Sequence, residues 1–176
     1  IHYGGDKSRF YLQTANMYMP YDTSAFTSKT DPNAPPKYTM NVSFGAAETD
    51  SKVKACHKAF EAFDKAILAA AKKHSVAWFG EQHEDVVLKA FYSPLVKKHR
   101  EGKYPDTLKY QLPFRDGKAQ FEIWTKDKQL VNLEEEKLEN YLAKGSEVSA
   151  MLTINSVWFA GGKFGVSLRL YQCIAK

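Results

Sequence analysis

The chain closes on two alternating runs joined by a Gly-Gly loop, and no other stretch limits its fold as tightly. Residues 148–158 read VSAMLTINSVW, residues 164–174 read FGVSLRLYQCI, and Phe159-Ala160-Gly161-Gly162-Lys163 joins them. Side chains alternate across a strand, and adjacent glycines supply the positive φ of a tight turn, so the pattern predicts a long β-hairpin. On strict alternation Val148, Ala150, Leu152, Ile154 and Trp158 share one face with Phe164, Val166, Leu168, Leu170 and Ile174. The opposite face carries Ser149, Thr153 and Asn155, then Lys163, Ser167, Arg169, Tyr171 and Cys173. One side is a core wall; the other is small-polar, basic and aromatic.

The rest of the chain supplies what that wall packs against. Residues 1–8 read as a mobile lead-in, followed by a strand over 9–19 that Pro20 ends. Residues 20–37 hold four of the seven prolines among Ser, Thr and Asp, which predicts a long loop with polyproline character. Tyr38–Phe44 alternates as a strand, with Tyr38, Met40, Val42 and Phe44 inward. Val53, Cys56, Phe60, Phe63, Ile67 and Ala70 recur at spacings of three and four, the stripe of an amphipathic helix over 52–74 capped by Thr49, Asp50 or Ser51. A shorter helix is expected over 81–89, extended chain around 91–96, and a basic loop over 97–103. Leu108–Phe114 and Ala119–Lys126 alternate about Asp116-Gly117, a second hairpin signal. Asn132–Lys144, with acidic residues first and Gly145 after, reads as an amphipathic helix. Six or seven strands with helices in the connections predict an α+β fold, an antiparallel barrel or curled sheet with helical insertions. Residues 1–37 form an N-terminal extension and 38–176 the main body, one domain overall.

Composition excludes several classes. No run of about 18 apolar residues exists, so no membrane span is expected, and no signal-peptide pattern is present. The two cysteines, Cys56 and Cys173, lack a CxxC spacing, which fits a reducing compartment better than a disulfide framework. A chain opening on Ile1 reads as an excised domain or as a chain whose tails are missing. No GxxxxGK[ST] or GxGxxG offers a phosphate cradle, and His83-Glu84 lacks the second histidine of a zinc helix. His74, Glu81, His83 and Glu84 read as an ordinary helix start rather than a metal set. Cys56 and His57 diverge by about 100 degrees on a helix, wrong for a nucleophile and its base. No enzyme, metal or cofactor is expected.

What remains is cationic and aromatic. Net charge is +5, and 14% of residues are aromatic, which admits a polyanionic partner. Single strands are held by cations along the phosphates and by rings stacked on bases. The candidates are Lys97, Lys98, His99, Arg100 and Lys103 of the basic loop; Lys109, Trp124 and Lys126 on the middle strands; and Phe159, Lys163, Arg169 and Tyr171 of the closing hairpin. Tyr110 and Trp158 fall on core faces and are expected to pack.

The stretch INSVWFAGGKFGVSLRLYQCIAK resembles the closing hairpin of viral and phage single-stranded-DNA-binding proteins with an OB fold: a strand ending in Ser-x-Trp, a glycine tip, then Lys-Phe-Gly-Val-Ser and a Leu-Tyr-Gln run. Together with YTMNVSF and the helix after it, residues 38–176 resemble the family found in large cytoplasmic DNA viruses such as African swine fever virus. The resemblance implies an OB-type barrel that binds single strands in viral DNA replication, recombination or repair. It also implies residence at the host-cytoplasmic replication site or in the virion. Trp158, Phe159, Lys163, Arg169 and Tyr171 are the positions it carries over. Many such proteins bear an acidic partner-recruiting tail, and the residues up to Lys176 contain none. The expected partner is single-stranded DNA, with RNA open, and self-association or replication-protein partners are compatible. The competing reading is a viral scaffold whose outward aromatics form a protein interface. A metal-dependent nuclease lacks its carboxylate cluster in the sequence.

Overall fold

A computed structural model describes residues 10–31 and 33–176; the expected lead-in over 1–8 lies outside them. The strands are β1 (Tyr11–Tyr18), β2 (Ser24–Phe26), β3 (Lys37–Ser43), β4 (Tyr92–Ser93), β5 (Val96–Lys97), β6 (Thr107–Leu112), β7 (Phe114–Arg115), β8 (Lys118–Ala119), β9 (Glu122–Trp124), β10 (Glu147–Ala160) and β11 (Lys163–Ala175). The helices α1 (Ser51–Lys73), α2 (Ser75–Phe79) and α3 (Asp85–Phe91) fall between β3 and β4. None of the helices is long and apolar enough to cross a membrane.

Five strands close on themselves. β1 pairs β10, β10 pairs β11, β11 pairs β6, β6 pairs β3, and Tyr18 of β1 meets Ser43 of β3. All these pairings are antiparallel except β11 with β6. Numbered along the chain, the barrel runs first–second–third–fifth–fourth and back to the first, an OB-type barrel with the helices inserted between its second and third strands. Met17, Met40, Leu108, Tyr110, Leu152, Leu168 and Leu170 fill it, each at 2% exposure or less.

Helix α1 begins where Asp50 Oδ1 accepts from the amides of Lys52 (2.7 Å) and Val53 (3.3 Å), satisfying two of its orphan N–H groups. Its stripe buries Val53, Phe60 and Ile67. The buried Asp64 on this helix accepts from Tyr92 Oη (2.6 Å), Leu95 N (2.8 Å) and Val96 N (3.1 Å). One carboxylate thereby ties the β4–β5 segment to the helix.

The structure departs from strict alternation in the closing hairpin. Met151 faces Gln172 while Leu152 faces Leu170, so Tyr171 is an extra residue on β11; Asn155 is likewise extra on β10. Each extra residue exchanges inward for outward along the rest of its strand. Cys173, expected outward, is therefore 2% exposed, and Ile174, expected inward, is 39% exposed. Trp158, expected in the core, stands opposite Gly165 on the outer face. A Cβ on Gly165 would lie 2.8 Å from Trp158 Cζ2, so only glycine lets the indole lie across that strand.

Three other expectations change. The proline-rich loop contains β2, which pairs β3 through Ser24–Thr39, Ala25–Tyr38 and Phe26–Lys37. The second hairpin shrinks to β7 and β8 around Asp116 (φ 52°) and Gly117 (φ 77°), while β9 runs parallel to the end of β11. The helix expected over 132–144 is a set of turns with one 3-10 turn, Leu138–Asn140. Helices of this length are marginal without tertiary support. Here Leu138 and Leu142 alone share a buried helical face, and only that turn forms. The helix expected over 81–89 starts later, at Asp85.

Candidate nucleic-acid interface

The outer face of the barrel is one continuous surface with a readable register. A single row crosses five pairings: Tyr11 faces Thr153, Thr153 faces Arg169, Arg169 faces Gln111, Gln111 faces Thr39, and Thr39 faces Ser24. These residues offer hydroxyls, an amide, a guanidinium and one ring, and the row contains no carboxylate. β6 alternates Lys109 and Gln111 outward against buried Leu108, Tyr110 and Leu112. β3 sets Thr39, Asn41 and Ser43 outward against Met40 and Val42.

A hollow of about 300 Å³ opens between β3, β6, β11 and the β4–β5 segment. Thr39, Lys109, Gln111, Ser167, Lys97 and Trp158 line it, and no acidic side chain does. Lys97 Nζ donates to Ser93 Oγ at 2.7 Å. Burial holds the Lys97 ammonium below the ordinary lysine value; Asp64 opposes that shift, and Lys109 and Lys163 add to it by repulsion. Two lysines thus line a trough whose wall carries an indole, and a third, Lys163, is near enough to repel Lys97. An anion entering the trough relieves their repulsion and meets a partly desolvated ammonium, where Coulomb attraction is stronger than in water.

On the other side of the Arg169–Gln111 rung lies a hollow of about 660 Å³ bordered by Arg115, Arg169, Tyr171 and Phe114. Tyr171 meets Tyr11 edge-on, with ring centroids 5.0 Å apart. Phe114 meets Tyr38 at 4.8 Å and Phe121 at 5.5 Å.

The structure brings some of the sequence candidates together and separates others. Lys97 and Lys109 line the first hollow, with Lys163 near enough to repel Lys97; Arg169 and Tyr171 border the second. Phe159 sits at the hairpin tip against Trp78 (6.1 Å) and Phe79 (5.6 Å). Lys98 turns toward α1 and pairs with Glu61 at 3.1 Å. His99 packs on Tyr104 at 4.8 Å, and Lys103 Nζ lies 5.9 Å from the same ring, so much of the basic loop engages itself; Arg100 is exposed beside them. Trp124 faces Ile174 at the far end of β11 and donates from Nε1 to Glu122 Oε2 at 3.0 Å, with Lys126 exposed two residues on. That is five residues from Arg169, about 15 Å along the strand.

Thr39, Gln111, Ser167, Tyr11, Phe114 and Arg115 were not among the candidates. Alternation did mark Thr39, Gln111 and Ser167 as outward, but small polar residues carry no signal of their own. Tyr11 gains meaning only through its contact with Tyr171.

Among the described residues the only grouping with metal-ligand geometry is His57, Glu61 and Asp106, whose donor atoms lie within 4.8 Å of one another. His57 Nε2 already meets Asp106 Oδ2 at 2.9 Å, and Glu61 is engaged by Lys98. His74, Glu81, His83 and Glu84 do not gather; His83 Nε2 lies 3.7 Å from Glu81 Oε1. Burial pushes the Cys56 thiol up and the Cys173 thiol up to about 12, so both are poor nucleophiles.

The barrel order and the cationic outer face define an OB-type barrel protein, and comparison with solved structures agrees on the fold. The single-stranded DNA-binding protein of bacteriophage Enc34, in complex with single-stranded DNA, superposes with a TM-score of 0.57 at 12% identity, covering 94% of this chain and 85% of that one. The single-stranded DNA-binding protein gp2.5 of bacteriophage T7 gives 0.55 at 11% identity, covering 93% and 90%. No curated protein sequence matches the chain. Residues 40–175 match the model of a family of unknown function, DUF5871, and the chain belongs to that family.

Proposed function

We propose that this protein binds single-stranded DNA with little sequence preference, along the outer face of β3, β6 and β11, without catalysing a reaction. The observation that carries the reading is the carboxylate-free trough that Lys97 and Lys109 line beside Trp158, with Lys163 near enough to repel Lys97. Cations tracking phosphates and rings offered to bases are what single-strand binding requires. In OB folds the second and third strands and the loops at their ends form the usual oligonucleotide face, which here corresponds to β3, β6, residues 19–36 and the hairpin tip. The similarity in fold to phage proteins that bind single strands supports the same reading. Arg169 and Tyr171 extend the surface, Phe159 borders its tip, and Lys98, His99, Arg100 and Lys103 supply a flanking basic loop. Trp124 and Lys126 mark its far end. The biological setting is replication, recombination or repair of a viral genome, at a cytoplasmic replication site, as in the viral family that the closing hairpin resembles.

The test is a titration of intrinsic tryptophan fluorescence with oligothymidylate, the matching oligouridylate and a duplex, over 50–200 mM salt as a rough range in which phosphate contacts are revealed. Quenching by single strands, affinity falling steeply with salt, and weaker duplex binding are expected. Equal affinity for duplex and single strand sinks the reading. An oligomer of stable size that ignores nucleic acid favours the scaffold reading instead.

A further inference from the structure

We infer that the hollow beside Arg169 is a second nucleotide station, taking a phosphate on Arg169 and Arg115 and a base against Tyr171 and Phe114. A bound single strand then crosses β11 at Arg169 instead of ending in the trough. This rests on the single-strand reading above and adds a site that the β3–β6 face does not contain.

Arg169 is half-buried, yet its guanidinium makes no hydrogen bond or ion pair among the described residues, and its buried Nε lacks any acceptor. A guanidinium so placed is costly unless an anion arrives. Arg115 borders the same hollow and is almost fully solvated; its nearest carboxylate, Asp116, is 3.9 Å away and equally exposed, a contact of little strength. No carboxylate lines the hollow. Two arginines facing an acid-free space match the planar, multi-oxygen geometry of a phosphate.

The rings complete the case. Tyr171 is the extra residue of the β11 bulge, which projects it outward, and Tyr11 meets it in a T-shaped contact. A T-shaped contact covers at most one face of a ring and leaves the other, and a base stacks on faces. Phe114 is held by Phe121 in a T-shaped contact at an interplanar angle of 83° and by Tyr38 in a tilted one at 49°. The space, about 660 Å³, is larger than the trough.

The two hollows are neighbours across one rung of the sheet. Gln111 lines the trough and is the direct register partner of Arg169, which borders the station. Ser167 in the trough and Tyr171 in the station are four residues apart on one strand, about 13 Å. The path from one to the other passes over the Arg169–Gln111 rung with no acidic side chain along it.

The test uses the full chain and oligothymidylates of increasing length, spanning roughly the 4–16 nucleotides that OB folds occupy, read by fluorescence anisotropy. Affinity should rise in two steps with length. The double variant R115A/Y171A should abolish the second step, weakening long oligomers by roughly 5- to 150-fold, the range for one lost base stack, while short oligomers bind as before. R169A should do the same and flatten the salt dependence of long oligomers alone. Both residues of the double variant are exposed, so it should melt with the wild type. Equal weakening of short and long oligomers, or no change in the long ones, overturns the station. Failure of every length to bind the wild type overturns the trough along with it, before any variant is compared.

Discussion

Removing the carboxylate of Asp64 should unsettle the trough without replacing any residue that lines it. Asp64 sits on α1 and is 8% exposed. It accepts three hydrogen bonds, from Tyr92 Oη, Leu95 N and Val96 N, and Val96 immediately precedes Lys97. Asp64→Ala leaves those three donors without their acceptor at positions that are buried in the wild type. Each such donor costs about 1–3 kcal/mol, and relief of the carboxylate's own desolvation offsets part of the sum, so a net loss of about 3–6 kcal/mol is expected. For a chain of this length, about 1 kcal/mol lowers the melting temperature by roughly 2–4 °C, which places the shift at about 6–24 °C. Asp64→Asn keeps one carbonyl oxygen and should fall between the variant and the wild type. Urea unfolding measures the loss directly, and hydrogen exchange at Leu95 and Val96 should quicken well ahead of the barrel strands. Single-strand affinity should drop with it, because Ser93 and Lys97 are carried by the segment Asp64 holds. A D64A protein within about 1 kcal/mol of the wild type refutes the assignment of this carboxylate as the anchor of β4 and β5.

Gly165→Ala places a Cβ 2.8 Å from Trp158 Cζ2 and 3.0 Å from the Ser93 carbonyl, so it should cost about 1–3 kcal/mol and shift the tryptophan emission as the indole is displaced; an unchanged spectrum contradicts the packing. The lowered ammonium of Lys97 gives a pH dependence: phosphate near it raises its pKa, so DNA binding takes up a proton in the interval between the free and bound values. Affinity should therefore decline as pH rises through the free value, below the usual lysine range, and K97M should flatten that decline in a titration series. The bulge at Tyr171 makes opposite forecasts for its neighbours: Cys173→Asp should unfold or severely destabilise the barrel, whereas Ile174→Asp should stay within about 1 kcal/mol in urea unfolding.

Much of the fold follows from local pattern. Period-two alternation in 38–44, 108–114 and, up to the bulges, the two closing runs marks the inner faces of four of the five barrel strands directly, since a wrong register would expose Met40, Leu108, Leu152 or Leu168. The spacing of Val53, Phe60 and Ile67 marks α1 for the same reason, and Asp50 marks its start. Lys97, Lys109 and Lys163 were legible as cations, though nothing in their separation along the chain, 12 and 54 residues, indicates that Lys109 and Lys163 are near enough to repel Lys97. The expected helix over 132–144 fails because its amphipathic pattern has only Leu138 and Leu142 to bury together, and propensity without a packing surface does not sustain a helix.

Tertiary structure alone decided the rest. Alternation is a local rule, and a bulge breaks it through an unpaired residue that is defined only relative to the partner strand. Two such residues, Asn155 and Tyr171, turn Trp158 out to the trough, hide Cys173 and expose Ile174. Barrel closure then sets β6 beside β11, which places Gln111 opposite Arg169 and joins groups that lie 58 residues apart in the chain. The sequence by itself determines which side chains can face outward with charge or an aromatic ring. Which of them share a surface depends on strand order and register, quantities that belong to pairs of segments and to neither segment alone.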